Sequence, residues 1–282
     1  MSFSSSLLRP TRLAVKKFRP QIKFTFSTSS SNPPSTEPFY GSPRPLPPPP
    51  LYDNHTLLPH TSKLVLFLKS TLEAASDPKN ADAVAITLDI SSTLTLTHIQ
   101  SEMMKSTAGC RILSVKPTAS SHMPKSTFSS LSSFPPTSFG RHYHDFMSSH
   151  GFDPHHRPTV KYVDDADLAY ILLRYRESHD FYHTIYNLPP TVLGEIVLKY
   201  IELLEFKLGG AGMQAIVGSI SLLDEGERKE LMESYIPWVL KNFGDRRRLA
   251  SGASLLEVFW EEELEEDIDA LRSRLAIKPY NV

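Results

Sequence analysis

Leu168, Leu172, Tyr175, Tyr182 and Tyr186 recur at separations built from three and four residues, in a stretch that opens on Asp164-Asp165 and ends at Pro189-Pro190. That period puts all five side chains on one face of an α-helix. An acidic residue at the N-cap accepts the unpaired backbone N–H groups and complements the helix dipole, so Asp164 or Asp165 is the expected start. Two consecutive prolines end the helix, and Pro190 suits the first turn of the next one. The following segment repeats the pattern with Val192, Leu193, Ile196, Val197, Tyr200, Leu203 and Leu204, and stops at Gly209-Gly210. The turn folds the chain back on itself, which makes a helical hairpin the expected centre of the molecule.

The remaining chain extends the same reading. Leu57, Leu64, Val65, Leu68 and Leu72 predict an amphipathic helix that stops by Asp77-Pro78. Further helices are expected over Ala81 to Leu88, Leu94 to Ile112 and Arg141 to Ser149, then over Gln214 to Leu223, Gly226 to Asn242 and Leu255 to Leu275. The stretch from Lys116 to Thr137 is rich in Ser and Pro and reads as a loop. No alternating strand pattern follows residue 60, so the fold class is all-α, with one helical domain over 51–282.

Ahead of that domain the chain is a different polymer. Arg9, Arg12, Lys16, Lys17, Arg19 and Lys23 occur with no acidic residue before Glu37, among many serines and scattered Leu and Phe. This composition predicts a mitochondrial transit peptide over 1–31. Residues 32–50 are mostly Pro and Ser and read as an extended linker. A net charge of −1 argues against a nucleic-acid partner, which would require a basic surface. Cys110 is the only cysteine, which rules out an internal disulfide or a Cys-x-x-Cys site. No run approaches the ~18 apolar residues of a membrane-spanning helix, so any membrane contact is expected to be peripheral.

His179-Asp180-Phe181-Tyr182-His183 lies inside the strongest helix. Residues i and i+4 share a face, so His179 and His183 can converge on one ion while continuing the buried stripe. Buried imidazoles need partners, and a divalent metal satisfies two at once, with carboxylates neutralising its charge. Asp180 and Glu195 are the nearby acids. At 100° per residue Glu195 sits beside the apolar stripe of its own helix, so it must reach the site from a flank. The spacing is close to the zincin His-Glu-x-x-His, but Asp180 stands where the catalytic Glu would be, which makes a protease a poor reading.

The pattern H-D-x-x-H, eleven residues, then E resembles the signature of the coenzyme Q biosynthesis protein 4 family. The resemblance extends over Ser138-Phe139-Gly140-Arg141 with Tyr143, His150-Gly151-Phe152, Val163-Asp164-Asp165 and Leu168-Ala169-Tyr170. It continues through Arg174-Tyr175-Arg176-Glu177, Leu188-Pro189, Thr191 to Glu195, Tyr235-Ile236-Pro237-Trp238 and Trp260-Glu261-Glu262. It implies a mostly helical fold and a peripheral location on the matrix face of the mitochondrial inner membrane. It also implies partners among the other coenzyme Q enzymes and a prenylated aromatic lipid as substrate. The metal ligands it implies are His179, Asp180, His183 and Glu195, usually with zinc. The activity it implies is removal of the C1 carboxylate of a polyprenyl-hydroxybenzoate.

Direct loss of CO₂ from a benzoate would leave an aryl anion, so protonation at C1 must come first, with the para hydroxyl becoming a ketone. Tyr182 and Glu177 are the side-chain candidates for proton donor, beside a water on the metal. An oxidative C1 step would instead call for iron, because zinc has no redox chemistry. The alternative reading is a non-catalytic, lipid-binding scaffold that organises the other enzymes around a structural metal. Arg246-Arg247-Arg248 is a weak candidate for contact with anionic lipid.

Overall fold

Asp165 starts the helix on which the rest of the molecule is built. Its carboxylate accepts the amides of Asp167 and Leu168, and the helix runs from Ala166 to Tyr186 (α8, in chain order). Asp164 has a different task, pairing with Lys63 and His55. Asn187 ends the helix in a left-handed conformation, ahead of the two prolines. The computed structural model describes residues 49–77, 80–206, 219–248 and 254–281, with backbone alone at 120 and 245–248. The leader over 1–31, nearly all of the linker over 32–50, the Gly209-Gly210 stop and the side chains of Arg246 to Arg248 lie outside the described residues.

Within them the fold is all-α. Before α8 come His60–Ser76 (α1), Ala81–Ser91 (α2), Thr93–Met103 (α3), Thr107–Val115 (α4), Ala119–His122 (α5), Lys125–Ser130 (α6) and Phe139–His150 (α7). After it come Val192–Phe206 (α9), Glu225–Glu230 (α10), Ile236–Arg248 (α11) and Ile268–Arg274 (α12), with a π-helical turn over Leu231–Tyr235 joining α10 to α11. The only β-type pairing among the described residues is one bridge between Ser138 and Asp267.

α8 is the central helix. Of its 21 residues 17 are buried, so it is enclosed on nearly all sides rather than along one stripe. An aromatic group packs one side of it. Tyr143 of α7 lies 4.4 Å from Phe181 between ring centroids, and Trp260 contacts Phe139, Phe181 and Tyr182. The indole N–H of Trp260 donates to the Leu255 carbonyl, as a buried indole requires. Burial on all sides also encloses charge. Arg174 pairs with Glu261, Arg176 with Asp89, and Asp180 with Arg157. Each is a buried or mostly buried pair, the arrangement that an enclosed charge needs.

Four expectations from the sequence change in the structure. The single helix expected over Leu94 to Ile112 is two helices, because Ser106 caps Gly109 and starts α4 anew. Gly109 packs there against the backbone of Met103, where a Cβ would lie 2.2 Å from the carbonyl oxygen. The loop expected over Lys116 to Thr137 holds α5, α6 and a 3-10 turn, with Thr118 and Ser121 forming a capping box. The helix expected over Leu255 to Leu275 is two 3-10 turns followed by α12. Leu255, Leu256, Val258, Phe259 and Trp260 are all buried, which no single helical face achieves. Finally, Leu57 and the α1 stripe of Leu64, Val65, Leu68 and Leu72 face solvent, each at least half exposed.

Candidate metal centre

The turn between α8 and α9 is tight. A Cβ on Gly194 would lie 1.9 Å from the Pro189 carbonyl oxygen, so only glycine lets α9 start this close to the end of α8. This close return brings Glu195 back over α8. Its two carboxylate oxygens lie 3.2 Å from His179 Nε2 and 3.1 Å from His183 Nε2. The two Nε2 atoms are 3.2 Å from each other. His179, His183 and Glu195 thus form one tight cluster, with their donor atoms all within 4.8 Å of one another.

The outer nitrogens determine what the inner ones present. His183 Nδ1 lies 3.1 Å from the Leu188 carbonyl, which only accepts, so Nδ1 carries the proton. His179 Nδ1 lies 2.9 Å from Glu202, whose side chain is fully buried. Burial alone would raise the Glu202 carboxyl, but Lys199 and His179 bring it down to about 2. It is therefore ionised and accepts from Nδ1–H. In the neutral rings both Nε2 atoms then expose lone pairs, aimed at each other and at a carboxylate. Three electron-pair donors turned together repel unless a cation sits among them. A proton can serve as that cation. Burial would raise the Glu195 carboxyl, but hydrogen bonds from His179 and His183 hold it well below the usual range. Against burial and Lys199, the Glu202 and Glu195 carboxylates raise His179. The donor set of two imidazoles and a carboxylate fits zinc or ferrous iron.

Asp180 is next to His179 in sequence, and one residue turns a helix by about 100°. Its buried carboxylate is held by Arg157, outside the three-residue cluster. Glu177 lies about 140° around α8 from the histidine pair and accepts the Ala119 amide at 3.0 Å. Tyr182 is buried against Phe206 and Trp260, and burial pushes its phenol well above its ordinary value. Three groups escaped the sequence reading. Glu202 stands seven residues after Glu195, on the same face of α9, with Lys199 between them at i+4. That polar stripe on an otherwise apolar helix was the available signal. Arg157 comes from a loop and the Leu188 carbonyl from the backbone, so neither left a pattern to find.

Two expected outcomes follow from these groups. Glu202→Gln keeps the size of the side chain but loses the charge that orients His179. Metal affinity is expected to fall about tenfold to a hundredfold, measured by competition with a chromogenic chelator. Burial pushes the Glu177 carboxyl up to about 7, against the Ala119 amide and Arg174, which lower it. The folded state therefore holds this proton more tightly than the unfolded chain, and stability falls as pH rises from about 4.5 through 7. Glu177→Gln is expected to exceed the parent protein in stability by on the order of 2 kcal/mol at pH 8 and to match it at pH 4. Denaturant titrations at the two pH values check this.

An all-helical protein that gathers two histidines and a glutamate inside a helical hairpin belongs to the class that builds its sites from side chains on facing helices. More particularly, the chain belongs to the family described as coenzyme Q (ubiquinone) biosynthesis protein Coq4, whose model matches residues 52–281. A mitochondrial ubiquinone biosynthesis protein of Neurospora crassa is 33% identical, covering 93% of this chain and 74% of the relative. The corresponding protein of Komagataella phaffii is 31% identical over 97% of this chain and 86% of its own length. A homologue from Aedes aegypti is 32% identical over 81% and 80%. A crystal structure of a Nostoc punctiforme protein, named for ubiquinone biosynthesis, shares the fold with a TM-score of 0.59 at 19% identity. It covers 78% of this chain and 99% of its own. The chain's role is in ubiquinone biosynthesis.

Proposed function

We propose that the chain is a metal-dependent carbon–carbon lyase that removes the ring carboxylate at C1 of a 4-hydroxy-3-methoxy-5-polyprenylbenzoate-type precursor. The observation that carries this reading is the pair of Nε2 atoms turned toward Glu195, with both Nδ1 atoms already partnered by Glu202 and the Leu188 carbonyl. His179, His183 and Glu195 would hold the ion, while Asp180, which the family motif implies as the fourth ligand, is held by Arg157 and leaves the fourth position open. When bound, such an ion supplies Lewis acidity that orients and polarises an oxygen of the substrate. Glu202 and the Leu188 carbonyl keep the two imidazoles in register. The Glu195 side chain is 41% exposed, so the cluster opens to solvent on that side. Substrate enters there, and the proton that replaces CO₂ at C1 comes from the same side. A closed four-ligand site would suit a structural metal, whereas an open one suits catalysis.

The prenyl tail is assigned to the apolar side of α9. A shallow depression open to solvent lies beside it, lined by Tyr186, Ile201, Leu204, Val239 and Phe243 together with Glu205 and Asn242. The proposal includes a mitochondrial location, supported by the basic, acid-free leader over 1–31 and by relatives named mitochondrial. It also includes peripheral attachment to the matrix side of the inner membrane, in company with other enzymes of the pathway. Among the described residues no helix is long and apolar enough to cross a membrane. The apolar face that α1 turns outward supports attachment to a surface. The domain division is a leader over 1–31, a linker over 32–50 and the helical domain over 51–282.

The test is turnover by the purified full chain, loaded with zinc or with ferrous iron, of a short-chain prenyl-4-hydroxy-3-methoxybenzoate. Release of CO₂ with the ring product is the expected result. Stoichiometric metal with no change at C1 under either loading would overturn the enzyme reading in favour of a scaffold.

A further inference from the structure

The metal cluster is flanked by a cation and by a set of aromatic rings, and the two come from one continuous piece of chain. Phe146, in the last turn of α7, stacks on His183 with centroids 5.5 Å apart and planes 18° from parallel. His150 lies 5.0 Å further out on Phe146, and Phe152 stacks on His150 at 5.6 Å. His150 and Phe152 are exposed and Phe146 is half-buried, so the rings lead from solvent down to a histidine of the cluster. Five residues beyond Phe152 the same chain delivers Arg157.

Arg157 touches the neighbouring turn of α8. Its Nη2 donates to Asp180, which lies three residues from His183 and so on the same side of the helix. The Arg157 side chain is 28% exposed, against 4% for Asp180. A guanidinium has five N–H donors in a planar fork, and among the described residues Nε and Nη1 have no hydrogen-bond partner. Burial disfavours the charge of this group, whereas the Asp180 and Glu195 carboxylates favour it, and its contact with Asp180, the neighbour of His179, sets it beside the cluster. The other nearby cation, Lys199, is committed to Glu202 and Tyr175.

A partly used guanidinium beside a metal centre matches a ligand that is anionic. Arginine is the side chain best shaped to hold a carboxylate by two parallel hydrogen bonds. We propose that Arg157 is the residue that selects an aromatic carboxylate at the mouth of the metal centre. Arg157 binds the carboxylate through its unused N–H groups. This assignment rests on the lyase reading for the identity of the substrate, but it concerns binding and not the metal.

The experiment compares two probes on the full-length, zinc-loaded protein by ligand-observed NMR titration. One is 4-hydroxy-3-methoxybenzoate and the other is 4-hydroxy-3-methoxytoluene, the same ring without the carboxylate. The parent protein is expected to prefer the acid. Arg157→Lys keeps a positive charge against Asp180 but loses the fork. It is expected to weaken the acid about tenfold or more while leaving the toluene, the zinc content and the melting temperature unchanged. The proposal is overturned if the parent shows no preference for the acid, a result that needs no variant to fold. It is equally overturned if Arg157→Lys binds the acid as the parent does. The two readings fail separately. A chain that binds no metal yet keeps an Arg157-dependent preference refutes the metal centre and supports the anchor. A chain that releases CO₂ without needing Arg157 does the reverse.

Discussion

His183→Ala is expected to remove the bound metal and abolish C1 modification while leaving the helical fold in place. The imidazole is 1% exposed, and it contributes one of three converging donors. Its loss leaves His179 and Glu195, too few ligands to compete with water for a divalent ion at ordinary free-metal concentrations. Elemental analysis is expected to fall from about one metal per chain to near background, and cells that depend on the variant are expected to stop making ubiquinone. The cavity left by the ring is small and sits at the end of α8, and the loss in stability is about 1–3 kcal/mol. Circular dichroism separates the two readings of the metal. A folded, metal-free and inactive variant fits a catalytic site. Loss of helicity together with the metal fits a structural one, and full metal content would refute the cluster as the site.

The helical hairpin was the most legible part of the chain. The period of Leu168, Leu172 and Tyr175, the double proline and the i, i+4 histidines each follow from local geometry that a sequence displays directly. Glu195 was legible as a candidate, although its approach depends on how closely α9 returns, and that depends on Gly194. What could not be read is what arrives from elsewhere. Asp180 is adjacent to His179 in the motif, yet its buried carboxylate is met by Arg157, 23 residues upstream in a loop with no periodicity. Glu202 does leave a trace, the Glu195–Lys199–Glu202 face of an otherwise apolar helix, but a pattern built from the apolar positions alone does not display it. Residues 255–275 misled for a different reason. Their apolar side chains are dense enough to match a helical pattern, but dense burial also fits irregular chain pressed into a crevice, and periodicity alone cannot separate the two.

The charged residues that enclose α8 lead to the second large effect. Arg174→Met is expected to destabilise the protein by about 3–5 kcal/mol, or about 6–20 °C in melting temperature for a domain of this size. Arg174 is 1% exposed, and it donates to Glu261 and, at 2.7 Å, to the Val258 carbonyl. Met fills much of the same volume, so packing is largely kept. The penalty arises because Glu261, 4% exposed, then keeps a buried charge with no partner. If that is the cause, the double variant Arg174→Met with Glu261→Gln removes the orphaned charge and is expected to recover more than half of the loss. A double-mutant cycle by chemical denaturation measures the coupling, and additive losses would show that packing and not charge dominates. The pair also bears on the site. Val258 and Glu261 belong to the irregular segment around Trp260, and Trp260 packs on Phe181 and Tyr182 between the two histidines. Loosening that segment frees the middle turns of α8, so metal affinity is expected to weaken in Arg174→Met and to return in the double variant.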